Sequence, residues 1–397
     1  MLLDLQIEAL GPLAFAERRP NDQFRASLPY VPGGTLLGAL GSTLAHSGQF
    51  DETIVRTLRC HNAYPSHTED PWVRPLPLTA LQPKSEEHAP VIDTLVARVC
   101  WERQQPAALI YAPTDEYGRP WVAVGNRFYT RVGDEIHFRS VSQRVLTRVA
   151  INRNRRTAED GRIYSPLVLN EVRTTTDEHG GRNHTPVSFR GTVVLPDAAD
   201  ELLAAVRRID VLGGRTSTGL GRVALSPQPI DVESGAVVAG RIAALTKRFR
   251  EQSTRYKQLG GEKWIVGEGT MFTVNMLSDA ILLDQGWIPT QQLSVAMLRE
   301  AAGISADLTL LRAFTTTKSV AGWHTTWQQP KPAHLAVGMG SVFLFQAQTP
   351  LSADDCSRLA ALQQDGIGER RQEGYGQVRI CDEFHTRDNW PVGKENA

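Results

Sequence analysis

The chain has 397 residues, more than one hydrophobic core usually organises, so two domains of ordinary size are expected. Lys plus Arg and Asp plus Glu both total 43, which excludes a protein whose overall charge alone announces a nucleic-acid partner. Hydrophobic residues at 41% and charged residues at 22% fit a globular chain in water, and no apolar run approaches a membrane span.

The opening MLLDLQIEALGPLAFAERRP alternates apolar and polar residues like a strand and lacks the form of a secretion signal, so a cytoplasmic location without a membrane partner is expected. After a polar loop, LPYVPGGT leads into LLGALGSTLA, a Pro/Gly turn opening a helix. Gly33, Gly34 and Thr35 fall at the helix start, where backbone N–H groups and the helix dipole suit a phosphate. Residues from about 60 to 140 are rich in Pro, Trp and His without a sustained period, and read as an irregular insertion. Within it Cys60, His61, His67 and Cys100 are zinc-ligand types, but their spacing matches no strong metal pattern, and neither metal nor cofactor is expected.

Between Arg139 and Arg190 stand ten arginines and no lysine against five acidic residues. That surplus is either a solvated face or a guanidinium-rich grip on phosphate and base. VLTRVAIN, the Arg-rich stretch 153–162 and IYSPLVLNEV read as a long hairpin with a basic tip, carrying Asn152, Arg153, Arg155 and Arg156. A strand (184–196), a helix (197–209) and a returning strand RVALSP complete a split β-α-β pattern ending near residue 232. Residues 233–264 read as a helical connector, and the same order of elements then recurs over 265–397, including a second hairpin with Lys318, Trp323, His324 and Trp327.

Each half closes with a glycine-rich loop between its last helix and last strand, LGGRTSTGLGRV (212–223) and GIGERRQEGYGQV (366–378). Glycines permit positive φ and close backbone approach, and successive N–H groups form a nest for anionic oxygen. The order helix, glycines, strand is not the dinucleotide fingerprint, and no GxxxxGK[ST] loop is present, which argues against a nucleotide hydrolase.

PGGTLLGALG, AINRNRRTAEDGRIYS, VSFRGTVVLP, LGGRTSTGLGRV and GIGERRQEGYGQV together resemble the RAMP superfamily of CRISPR proteins over nearly the whole chain. With the PLPLTA segment, the likeness is strongest to the Csx-ten type, a Cas-five-like subunit of type III-D complexes. The resemblance implies an α+β protein of two tandem ferredoxin-like (RRM-like) domains and a non-catalytic subunit holding the 5′ handle of the crRNA. It also implies contact with a Cas-ten-like large subunit and a Cas-seven-like backbone subunit, with target RNA engaged indirectly. Carried onto this sequence, the RNA-facing residues are Gly33, Gly34, Thr35, Asn152, Arg153, Arg155, Arg156, Gly213, Gly214, Arg215, Ser217, Gly219, Gly221, Arg222, Lys318, Gly368, Arg370, Arg371, Gly374 and Gly376. Some of these glycines would instead meet the facing domain. The paired cysteines of many relatives are missing, since Cys100 stands alone in CWERQQ. The rival is a crRNA-processing endoribonuclease of the same fold using His46, His61, His67, His137, His179, His184 or His324, although none sits in a recognisable catalytic pattern. Cleavage of target RNA by Asp22, or a cap that binds only protein, are the remaining readings.

Overall fold

The computed structural model describes residues 1–15, 24–25, 27–84, 89–104, 110–152, 155, 157–176, 181–196, 200–258, 264, 266–324 and 329–393. The first strand, Leu2–Ala9, buries Leu3, Leu5 and Ile7 on one face, as its alternation requires. It is central: Val223–Ile230 pairs along one edge and Ser188–Val194 along the other, both antiparallel. Beyond Ser188–Val194 lie two short pieces, Arg59–Cys60 and Tyr64–Ser66, which together make the second strand in chain order. Helix Gly33–His46 connects the first strand to the second, and Asp200–Arg207 connects the third to the fourth. Leu36, Leu40 and Leu44 of the first helix, and Leu202, Ala205 and Val206 of the other, meet the buried sheet residues in one core.

The C-terminal sheet repeats this plan. Its strands in chain order are Thr270–Met276, Leu308–Phe314, Val342–Ala347 and Val378–Ile380, and across the sheet they run second, third, first, fourth. Reversed, that is the strand order of the N-terminal sheet. Helices Val295–Ala302 and Ala353–Asp365 occupy the corresponding connections, the latter opened by a capping box between Ser352 and Asp355. Each half also inserts a hairpin between its second and third strands. In the first it is Arg148–Asn152 with Thr157–Leu169, and in the second Thr317–His324 with Gln329–Val337.

Two expectations change. Helix Gly235–Gln258 is more than a connector, because Val238, Ile242, Leu245 and Phe249 are buried in the core of the C-terminal sheet. The 60–140 region is not irregular. Its first residues complete the N-terminal sheet, helix Leu95–Gln104 sends Leu95, Val96, Val99 and Cys100 into the C-terminal core, and Ala80–Pro83, Val91–Asp93 and Trp121–Ala123 form a sheet with Asn389–Trp390. Strands of a few residues paired to the far end of the chain leave no local period to read.

Half-buried ionic groups tie the C-terminal half together. Glu233 accepts hydrogen bonds from Arg241 (2.8 Å), Arg379 (2.8 Å) and Gln363 (2.7 Å). Burial alone would raise its pKa, but these partners hold it down at about 2, whereas burial lowers that of His61 to about 4. In both cases the unfolded chain binds more protons, so stability is present above the ordinary value and is lost as pH falls. The loss begins below 6.5 for His61 and below 4.5 for Glu233. The thermal midpoint is therefore expected to fall steadily from pH 7 to pH 3. Glu233→Gln should be less stable at pH 7 yet flatter below pH 4.5; a profile as steep as that of the unsubstituted protein would refute the assignment.

Candidate nucleic-acid interface

The two glycine-rich loops share one backbone path. Gly213, Arg215, Gly219 and Gly221 all have positive φ, as do Gly368, Arg370, Gly374 and Gly376, at one constant sequence offset. A short 3₁₀ turn, Thr216–Thr218 or Arg371–Glu373, sits between the left-handed residues. Their tethers match: Gly214 N donates to Ala14 O (3.0 Å) and Gly221 N to Pro12 O (2.9 Å), while Glu369 N donates to Ile281 O (2.9 Å) and Gly376 N to Asp279 O (2.8 Å). Side chains are excluded at the inner positions, since a Cβ on Gly221 would lie 2.4 Å from Leu212 O and one on Gly376 1.7 Å from Ile367 O. These two glycines are thus structural in both halves.

The loops differ in what covers them. The C-terminal loop packs onto the opening of the first helix, where Gly374 leaves room for Gly33, Cys60 O and the Asn62 carboxamide. Gly33 is buried there and its N–H donates to Asn62 Oδ1 at 2.9 Å. Next to Gly34 lies the Glu373 carboxylate, which accepts from Arg370 Nη2 (2.6 Å) and Lys331 Nζ (2.7 Å). Burial opposes its charge, but these two cations hold the pKa of Glu373 below the usual carboxylate range. The Glu373 carboxylate thus stands beside the helix opening, while the Gly33 N–H is taken by Asn62. Lys318 likewise pairs with Asp279 at 3.3 Å.

Its N-terminal twin is open. Thr216, Ser217, Thr218, Gly219 and Arg222 are exposed, and Arg215 is half-buried. The position equivalent to Glu373 is Thr218, whose hydroxyl donates to the carbonyl of Arg215. From the adjoining hairpin Arg148 Nη1 donates to Thr218 O at 2.5 Å, so Arg148, Arg215 and Arg222 collect around one exposed turn. Sequence reasoning missed Arg148, whose position on a strand before the Arg-rich tip gave no distinct signal.

Three other arginines of the 139–190 surplus are paired with carboxylates of the chain. Arg139 is buried on Asp70 (2.7 Å), Arg190 grips Asp4 (2.8 Å) and Arg144 grips Glu171 (2.8 Å). Arg155 is exposed at the hairpin tip; Asn152 belongs to its strand by backbone; Arg153 and Arg156 lie outside the described residues, as do Asp22, His179, Trp327 and the side chains of Trp323 and His324. Cys60 and Cys100 lie in separate cores, and His61 Nδ1 is 2.7 Å from Thr192 Oγ1 rather than grouped with them. Among the described residues no cluster of three metal-ligating side chains occurs, and no helix is long and apolar enough to cross a membrane.

The C-terminal half, with its closed loop, carries the decisive likeness. Residues 239–382 match the family of CRISPR-associated proteins described as Cas_Cmr3. The match takes in the long helix from residue 239 onward, all four strands of the C-terminal sheet and the whole loop. No curated protein is significantly similar in sequence. Among solved structures, a chain of the cryo-EM structure of the type III-B Cmr-beta complex bound to cognate target RNA and AMPPnP is 11% identical with a TM-score of 0.42, covering 86% of each chain. A chain of a type IV-B CRISPR complex is 12% identical with a TM-score of 0.25, covering 59% of this chain and 93% of its own. At those scores the structural likenesses are too loose to bear on this chain, and the Cas_Cmr3 match stands as the informative finding.

Proposed function

We propose that this protein is a non-catalytic crRNA-binding subunit of a type III CRISPR effector complex. In this reading it holds the 5′ handle of the crRNA and bridges a Cas-ten-like large subunit to a Cas-seven-like backbone subunit. It consists of two ferredoxin-like units, 1–232 and 265–397, with 233–264 contributing to the second. The Cas_Cmr3 match over 239–382 supports the CRISPR context, while the III-D assignment follows from the resemblance of the segments quoted above. One observation carries the RNA reading: of two loops built alike, the one neutralised by a carboxylate is closed against the other half, and the one ringed by Arg148, Arg215 and Arg222 is open. Three arginines around one exposed turn suit the phosphates of a single strand.

The test is binding of a crRNA, with and without its 5′ handle, across a salt series. Arg148→Ala, Arg215→Ala and Arg222→Ala combined should weaken handle-dependent binding and reduce the salt slope by roughly 0.7 for each phosphate no longer neutralised. Unchanged affinity and slope would move the RNA site elsewhere. Cleavage of the RNA at a defined position, abolished by one His→Ala change, would make the protein a processing endoribonuclease instead.

A further inference from the structure

The strand Val223–Ile230 forms one edge of the N-terminal sheet. Leu2–Ala9 pairs along its inner side, and among the described residues no strand pairs along its outer side. An open edge is a template for strand addition, because its outward N–H and C=O groups can extend the ladder with another chain. The direction of each group is fixed here by its neighbours. Arg222 O accepts from Leu10 N at 2.9 Å and so faces inward, whereas Gly221 O accepts from Leu212 N (2.7 Å) and Val223 N donates to Asp210 O (3.0 Å), both facing outward. Alternation along an unbroken register then turns the backbone groups of Leu225, Pro227 and Pro229 outward, and those of Ala224, Ser226 and Gln228 inward. Of the outward positions beyond Val223, only Leu225 therefore has an N–H, while every carbonyl remains.

Other means of blocking an edge are missing. The strand is 8 residues long, carries no Asp, Glu, Lys or Arg, and pairs without the register shifts that interrupt both inserted hairpins. Ala224, Ser226, Gln228, Pro229 and Ile230 are exposed. A long, straight edge of small uncharged side chains is what strand addition needs. The corresponding edge of the C-terminal sheet is closed differently. Its strand Val378–Ile380 is short, Ile380 N donates to Gln363 Oε1 (3.1 Å), and Ile380 O accepts from Arg241 Nε (3.0 Å). One half covers its edge with side chains; the other leaves its edge bare except for the prolines.

We propose that Pro227 and Pro229 keep this edge from pairing with the same edge of a second copy of the chain. A second copy is the strand to be excluded, because its edge matches in length and lack of charge, and a twofold axis lets each copy serve as the other's template. The role is independent of the RNA reading.

The experiment compares the full-length protein with three variants: Pro227→Val plus Pro229→Thr, Pro229→Thr alone, and Ser226→Thr plus Gln228→Thr. The last raises β-propensity at positions whose N–H groups face inward, and so controls for composition. Mass is read by light scattering after gel filtration over a concentration series, and hydrogen exchange is followed at the Leu225 amide. The unsubstituted protein and the control are expected to stay monomeric. The double-proline variant should double in mass as concentration rises, with the Leu225 amide becoming more protected in the dimer. Adding Ser226→Lys should return it to the monomer, since a charge then lies in the shared ladder. Pro229→Thr, at an exposed position, restores a single donor and should dimerise more weakly; it decides the question if the double variant does not fold. A folded proline variant that stays monomeric at every concentration would overturn the proposal. So would a dimer that forms without protection at Leu225 or survives Ser226→Lys, because it would be joined elsewhere. A dimer of the unsubstituted protein with Leu225 protected would overturn it as well, since the prolines would then exclude nothing.

Discussion

Gly374→Ala is expected to destabilise the protein by about 3 kcal/mol, and Gly219→Ala, at the matching place in the other loop, by only about 1 kcal/mol. Both glycines are left-handed, with φ of 87° and 84°, so the backbone penalty of a Cβ is shared. What differs is the space around them. At Gly374 a Cβ would sit 2.7 Å from Cys60 O and 3.1 Å from the Cα of Gly33, backbone atoms that cannot step aside. At Gly219 nothing among the described residues lies within 4 Å. The difference between the two substitutions, read by denaturant titration, therefore reports how closely the C-terminal loop is seated on the first helix. Equal costs would mean that the two halves do not meet through this loop. Because Gly219 belongs to the open turn, Gly219→Ala should be the more damaging of the two for crRNA affinity despite its smaller effect on stability.

That contrast also marks the limit of what the sequence discloses. The glycine loops were legible because glycines at fixed intervals after a helix have few explanations, and the structure shows the same left-handed positions in both. The first strand and its helix were legible through their periods, with Leu3, Leu5 and Ile7 on one face and Leu36, Leu40 and Leu44 on another. The different fates of the loops were not. A carboxylate at Glu373 against a hydroxyl at Thr218 looks like a minor change until both are placed at one turn, next to a helix opening that only one of them touches. The 60–140 region failed for a related reason. Its order is supplied by partners distant in sequence, such as Phe384 against Tyr129 and Asn389–Trp390 against Val91–Asp93, and pairing over such distances leaves no local pattern.

The second large effect belongs to that region. Arg74 is 9% exposed, and its guanidinium donates to Asp382 Oδ2 (3.2 Å) and to Glu383 while lying 4.0 Å from the Trp72 ring centre. Asp382 also accepts from the Tyr129 hydroxyl at 2.5 Å, so two strands of the insertion are tied to the turn that follows the last strand of the C-terminal sheet. Arg74→Met keeps most of the volume and removes the charge, leaving Asp382 buried with only the neutral Tyr129 hydroxyl and Phe384 N–H, and Glu383 with Arg379 and Arg241. Stranding a buried carboxylate costs about 3–5 kcal/mol, and that is the expected loss on chemical denaturation. Adding Asp382→Asn to Arg74→Met should recover part of it, because the amide no longer needs a cation, and the two substitutions should be clearly non-additive. A neutral Arg74→Met would show that the pair contributes only specificity. The damage should also stay local. Arg74 is tied to Asp382 and Glu383, whereas Arg148 is tied to the 213–222 loop, so a variant folded at low temperature should bind crRNA with the unsubstituted protein's salt slope, which separates the ionic lock of the insertion from the proposed RNA face.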